Sequence, residues 1–410
     1  MSKLEKYASL LVEVGLNVQK DQRVSINASA DALPLIRLVT EKAYEKGAKD
    51  VTVNLKDDEL TQLHAKNKSL EELSRVPQWI IDERMYYSDE KAAFLSITSS
   101  SPELLKDVDP EKLQAMQISS GKAFKEFSDR IQSDYHSWCI AGFPSADWAK
   151  LVFPDKSDED AVDALLDLIF YTMRLDEDDP VKAWKELDES LHEKVDILND
   201  RHFHALRYEA PGTDFTMELP EKHLWAGASS EDSNGISFMA NMPTEEVFTA
   251  PEKTGMNGCV SNTKPLSYGG NIIDGFTLTF KDGKVVDFKA EKGEEVLKHL
   301  LESDEGARYL GEIALVPDES PISQSGIIFY NTLFDENASC HLALGKAYPT
   351  SLEGGQEMTI EQLDEHGLND SIVHEDFMIG SSEMNIDGVL ADGTVEPIFI
   401  NGSWAEPFRR

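Results

Sequence analysis

The chain of 410 residues holds only three cysteines, Cys139, Cys259 and Cys340. They are odd in number, far apart and never in a C-x-x-C pair. That argues against a disulfide framework or a thiolate zinc knuckle, and fits a reducing cytoplasm. Basic residues are scarce: Lys+Arg is 39 against 76 Asp+Glu, a formal net charge of -37. So acidic a chain repels nucleic acid and anionic membrane surfaces, but suits cationic partners such as metal ions and the free amino ends of peptides. Most individual acids read as a solvated shell. Long apolar runs are missing too. The longest candidate, Ala164 to Phe170, is interrupted by Asp167 and falls far short of a membrane span. The segment Met1 to Tyr7 lacks the apolar stretch of a secretory signal. No G-x-G-x-x-G or Walker pattern supports a nucleotide site, and no H-E-x-x-H motif marks a short-range zinc site.

What is present suffices for a large core. The hydrophobic fraction is 40% and the aromatic fraction 9%. At this length two domains are the expectation. In the first third, helix and strand alternate. Leu4, Tyr7, Ala8, Leu11 and Gly15 have helical spacing, and Val24 and Ile26 alternate as a strand. A helix from about Ala32 to Lys46 carries Leu35, Ile36, Val39 and Ala43 on one stripe, with Gly47 as its stop. Val51, Val53 and Leu55 form the next strand. This β-α-β order implies parallel pairing. Ala92 to Thr98 and Tyr135 to Ala141 read as further strands, and Ser157 to Leu198 as an acidic helical stretch. Beyond about Arg207 strands and Gly/Asn/Asp turns dominate. The clearest hairpin is Phe276 to Phe280, a turn at Asp282-Gly283, then Val285 to Ala290. Gly269-Gly270 reads as a turn or a close backbone approach. Glu294 to Leu301 reads as an amphipathic helix. The expected architecture is an α/β N-terminal domain with a parallel-type sheet, residues 1–205, and a mixed α+β C-terminal metal-binding domain, residues 206–410.

The chemistry concentrates in the second half. In the strand Ile372 to Gly380, His374 and Asp376 share one face, because side chains two apart on a strand point the same way. An imidazole beside a carboxylate is half of a metal site. Glu246, Glu312, Glu336 and His341 are the upstream candidates, and together the six residues offer N/O ligands for two divalent cations. His202 and His204, an H-x-H pair able to share a strand face, have no companion acid at clear spacing and read as ordinary hydrogen-bonded histidines. Cys340 reads as a small buried residue. Lys264 reads equally as an electrophile near the site or as one half of a structural ion pair. Trp138, Trp148 and Trp404 read as core or interface anchors.

Several segments in fixed order carry a family resemblance: Thr244-Glu245-Glu246-Val247-Phe248-Thr249-Ala250-Pro251, Thr263-Lys264-Pro265-Leu266, Gly275 to Phe280, Gly311-Glu312-Ile313-Ala314-Leu315-Val316, Asn337-Ala338-Ser339-Cys340-His341 and His374 to Gly380. In these the chain resembles the thermophilic aminopeptidases, the group that includes aminopeptidases T, S and II. The resemblance runs the whole length and is most specific from about residue 240 onward. It implies a two-metal site with ligands at Glu246, Glu312, Glu336, His341, His374 and Asp376, and an active-site tyrosine at Tyr348. The stretch from His341 to His374 is longer than the family pattern, with the extra residues in the loop from Ser351 to Asp370.

The function implied is metal-assisted removal of N-terminal residues from short peptides in the cytoplasm. Glu312 would be the bridging or base-like carboxylate and Tyr348 the hydrogen-bond donor to the developing oxyanion. The resemblance also implies a homodimer whose sites face an internal cavity. Two divalent ions are expected; zinc, cobalt and manganese suit the ligand set, magnesium is tolerated, and the sequence does not choose. Two other readings stand beside this one. A different two-metal amidase or phosphoesterase shares the ligand types, but no Arg cluster suited to phosphate lies near them. A non-catalytic acidic metal-binding protein would be expected to use calcium-loop patterns, which are absent.

Overall fold

The structure is a computed structural model and describes residues 1–99, 104–105, 107–268 and 271–409. The Gly269-Gly270 turn lies outside the described residues. The chain folds into two compact units. One comprises Met1–Lys185 with Ser229–Pro243, the other Glu186–Ala228 with Thr244–Arg410.

The first unit is built on the alternation read in its sequence. Strands β1 (Arg23–Ser29), β2 (Asp50–Lys56), β3 (Ala93–Thr98) and β4 (Trp138–Gly142) are all parallel, in the order β4-β3-β1-β2. The short strand Asn241–Met242 extends the sheet beyond β4, also in parallel. Helix α1 (Lys3–Leu10) starts at a capping box, in which the Ser2 hydroxyl accepts the Glu5 amide while the Glu5 carboxylate accepts the Ser2 amide. Helix α2 (Leu33–Glu45) buries Leu35, Ile36, Val39 and Ala43, one face of a 3.6-residue repeat. Gly47 follows it at φ 94°, where a Cβ would be strained. Leu55 is 50% exposed because β2 is the edge of the sheet.

The second unit contains two large antiparallel sheets and a two-stranded antiparallel pair, Leu266–Tyr268 with Asn271–Ile273. The larger has eight strands and includes the hairpin Thr277–Lys281 with Lys284–Lys289. The smaller has five and carries the site. Its strands are β5 (Val247–Thr249), β6 (Leu310–Leu315), β7 (His341–Gly345) and β8 (His374–Met378), in the order β8-β7-β6-β5, with Ala226–Gly227 outside β5. One face of this sheet joins the core through Val247, Ile313, Leu315, Leu342, Leu344 and Phe377. Helix α3 (Glu294–Leu301) adds Leu297, Leu300 and Leu301 to the same core. The five-stranded parallel sheet thus lies in the first unit and the large antiparallel sheets in the second, while a two-stranded antiparallel ribbon, Ser230–Glu231 with Ser237–Phe238, belongs to the first.

His202 and His204 do not share a strand. His202 sits at φ 48° just after the helix Pro180–Arg201, and its ring stacks on His223 at 4.5 Å. The helix-ending backbone, not strand alternation, decides where the pair points. Cys340 is buried, as are Trp148 and Trp404. Among the described residues no helix is long and apolar enough to cross a membrane.

Candidate metal centre

Strand register brings the ligand candidates together. In an antiparallel pair, directly opposed residues point to the same face. Ala343 of β7 pairs with Glu312 of β6 on one side and with Asp376 of β8 on the other. Gly345 pairs with His374, and Ala314 with His341. One face therefore carries Glu312, His341, His374 and Asp376, while the small residues Ala314, Ala343 and Gly345 leave room between them. Glu246 enters from the residue before β5, where Val247 pairs with Leu315.

Glu312 reaches this face through a β-bulge. Leu310 pairs with Leu344 and joins the core, and in a regular strand Glu312, two residues on, would follow it there. The register shifts between Leu310 and Glu312. The extra residue, Gly311, reverses the alternation and turns Glu312 to the opposite face. A Cβ at Gly311 would lie 2.5 Å from Gly345 O and closer still to Lys346 O, so glycine is required there.

The resulting constellation is dense. His341 Nε2 lies 3.1 Å from Glu246 Oε2 and 3.7 Å from Glu312 Oε1. His374 Nε2 lies 3.5 Å from Glu312 Oε2 and 3.7 Å from Asp376 Oδ1. Two groups of ligand atoms follow: Glu246, Glu312 and His341, then Glu312, His374 and Asp376. Glu312 belongs to both. His341 is fully buried, and Glu246, Glu312 and Glu336 nearly so. Both imidazoles present Nε2 to the cluster because Nδ1 faces a carbonyl, Ser339 O at 3.2 Å for His341 and Lys346 O at 2.7 Å for His374. A carbonyl only accepts, so each Nδ1 carries the proton and each Nε2 keeps its lone pair for a cation.

Glu336 approaches from a separate, braced segment. The helix Thr332–Asp335 is capped by Asn331, and the Asp335 carboxylate accepts the Phe329 and Asn331 amides at 2.8 and 3.0 Å. Phe329 and Phe334 stack at 4.6 Å beside it. Burial pushes the Asp335 carboxyl up to about 6, against the Phe329 and Asn331 amides and, more weakly, the charge of Lys264. Glu336 and Asn337 follow in a single 3-10 turn. Glu336 stands outside the two close ligand groups, yet its charge is felt against Glu246, Asp376 and Glu312. Tyr348, shortly after β7, packs its ring 4.8 Å from His374 and edge-on to Phe248.

Electrostatics point the same way. Burial, reinforced by neighbouring carboxylates, lifts Glu312 above its ordinary range and Glu336 well above it. Burial opposes charging of His341, but Glu246 and Glu312 outweigh it and raise the imidazole well above its usual value. Asp376 and Glu312 do the same for His374 against its own burial. Burial and then Glu312 and Asp376 hold the Tyr348 phenol well above the ordinary tyrosine value. Without a cation this cluster keeps protons, because closely spaced buried carboxylates cannot all ionise. Glu246 Oε2, His341 Nε2 and Asp376 Oδ1 are buried and lack a conventional hydrogen-bond partner, although the first two lie 3.1 Å apart. Such orphaned atoms fit divalent cations, which take carboxylate and imidazole lone pairs and offset the negative charge.

All six proposed ligands and Tyr348 lie in the second unit; five of the ligands fall in the two close groups, and Glu336 stands outside them. The sequence reading missed Gly311, Ala343 and Asn337. Each sits beside a proposed ligand in sequence or in register, but only pairing shows what it does.

The thermophilic metalloprotease (M29) family model matches residues 1–404. Aminopeptidase AmpS of Bacillus subtilis (strain 168) is 57% identical over 403 residues, 98% of each chain. Aminopeptidase 2 of Geobacillus stearothermophilus is 50% identical over 402 residues, 98% of this chain and 97% of its own. The solved structure of wild-type AmpT from Thermus thermophilus has a TM-score of 0.93 at 42% identity, covering 98% of this chain and 99% of its own. A match of that extent to the family, together with full-length relatives of that identity and a shared fold, means that the chain belongs to the thermophilic metalloprotease (M29) family and is a metalloaminopeptidase.

Proposed function

We propose that this metalloaminopeptidase works with two divalent cations per chain, held by Glu246, Glu312, Glu336, His341, His374 and Asp376, and that it releases the first residue of short peptides. One observation carries the reading: the two oxygens of Glu312 face different imidazoles, at 3.7 Å for His341 and 3.5 Å for His374. A carboxylate so placed suits a bridge between two ions. When bound, the cations supply a water that loses its proton near neutral pH and a Lewis acid for the scissile carbonyl. Glu312 would serve either as that bridge or as the base that takes up a proton from the attacking water. Tyr348 keeps its hydroxyl proton at neutral pH, so it can donate a hydrogen bond to the carbonyl oxygen as negative charge develops there. The acidic cluster attracts the α-ammonium group of a peptide, which an exopeptidase must recognise.

Zinc, cobalt and manganese suit four carboxylates and two imidazoles, and magnesium is tolerated. We also carry over from the family resemblance a homodimer with enclosed sites, which would restrict substrates to short or unfolded chains. Three free cysteines support a reducing, cytoplasmic setting. The test uses leucine- and arginine-p-nitroanilide. Release should stop with chelator, return with two equivalents of cation, and fail on N-acetylated substrate. Release from the acetylated substrate would mean a general amidase or endopeptidase.

A further inference from the structure

We propose that Asn337 is the positioning residue that sets the Glu246 side of the metal centre, acting as a brace between Glu336 and the backbone that leads into Glu246. The inference rests on the two-cation reading above.

The Asn337 side chain is fully buried and uses both ends. Its Oδ1 accepts the Glu245 amide at 2.7 Å. Its Nδ2 donates to Leu333 O at 3.1 Å and to Glu336 Oε1 at 3.3 Å. Ser320 Oγ in turn donates to Asn337 O at 2.9 Å, which holds the short turn in place. One amide therefore ties together two segments some 90 positions apart, each carrying a proposed ligand. The task needs a group that accepts at one atom and donates at another in a space the size of Asn. Asp would keep the acceptor but turn a second acceptor toward the Glu336 carboxylate. Ser is too short to span both partners.

The brace is one-sided. Glu246 belongs with Glu312 and His341, whereas the other ligand group, Glu312, His374 and Asp376, is set by β6 and β8. The Asn337 side chain reaches the Glu246 side through the Glu245 amide and the Glu336 carboxylate. Loss of the brace should therefore weaken one cation and spare the other. A general loss of structure would weaken both.

The experiment titrates metal-free full-length protein with Co2+, by calorimetry and visible absorption, in two backgrounds. His374→Ala keeps the Glu246-Glu312-His341 group and His341→Ala keeps the other. In the first background Asn337→Ser should weaken Co2+ binding about 10- to 100-fold, the usual cost of losing a ligand's hydrogen-bond partner. In the second it should change binding by no more than about 2-fold. Thermal unfolding of the metal-free variants checks that each is folded. If Asn337→Ser does not fold, Asn337→Asp takes its place with a sharper sign. A purely electrostatic effect of the new carboxylate would tighten Co2+ binding, whereas loss of the donor to Glu336 should weaken it. Equal weakening in both backgrounds, or none in the first, overturns the proposal. Wild-type protein that binds no Co2+ overturns the two-cation reading and this inference with it, a pattern distinct from either of the others.

Discussion

Substituting Gly311 by Ala tests whether the bulge is what aims Glu312. An added Cβ would lie 2.5 Å from Gly345 O and nearer still to Lys346 O. Both are backbone atoms, with no flexible side chain to yield. Ordinary contact needs about 3.5 Å, so β6 and the end of β7 must part by about 1 Å. Overpacking of this kind costs about 1–3 kcal/mol. The effect on turnover should be larger than that on folding. A shift of about 1 Å in a reacting group costs on the order of 10²-fold in rate. The Lys346 carbonyl also holds His374 Nδ1, so both imidazole and carboxylate move together. The assay pairs kcat/KM on leucine-p-nitroanilide with Tm at saturating cation. Gly311→Ala should lose about 10²-fold in kcat/KM while keeping most of its folding cooperativity. Wild-type kcat/KM in a folded Gly311→Ala protein would refute the role assigned to the bulge.

Three further outcomes are expected. Glu312→Gln, His341→Ala and Asp376→Asn should each abolish p-nitroanilide turnover in a folded protein, by circular dichroism; activity in all three would remove the site. Tyr348→Phe should lower kcat by about 10²–10³ with little change in cation stoichiometry, the usual loss for one oxyanion donor, and an unchanged kcat would take Tyr348 out of the chemistry. His223 is buried, stacked on His202 and held below its ordinary value, at about 4, chiefly by burial. It is neutral in the fold, so its stabilising contribution is present above the unfolded value of 6.5 and is lost as pH falls through about 4. Between pH 7 and 4 wild type should lose about 3 kcal/mol more than His223→Asn in denaturant titrations; equal losses would show that His223 charges freely in the fold.

Much of this was legible because periodicity is local. The stripe Leu35, Ile36, Val39, Ala43 needs only helix geometry, and the shared face of His374 and Asp376 needs only strand alternation. The β-α-β order likewise carried the parallel sheet, because short right-handed crossovers leave few alternatives. Pairing is a different matter. Nothing in the residues near Glu312 says that Ala343 stands between it and Asp376, since register is decided across the sheet by which face is apolar. The bulge is harder still, because alternation carried from Leu310 straight through Gly311 would put Glu312 on the core face with Leu310. The contribution of Ser229–Pro243 to the first unit was equally invisible, as a two-residue strand has no periodicity to read. Asn337 looked like part of a motif, and its brace emerged only once Glu245 was seen to fold back onto it.

The order of the site sheet also has a thermal consequence. Strand β8 is its border, whereas β6 and β7 are flanked on both sides. Border strands fray at lower cost than enclosed ones. If two cations are held as proposed, then on warming, or in mild denaturant, the one beside His374 and Asp376 should escape while the one beside His341 is still gripped, and inactivation would precede melting through a half-loaded intermediate.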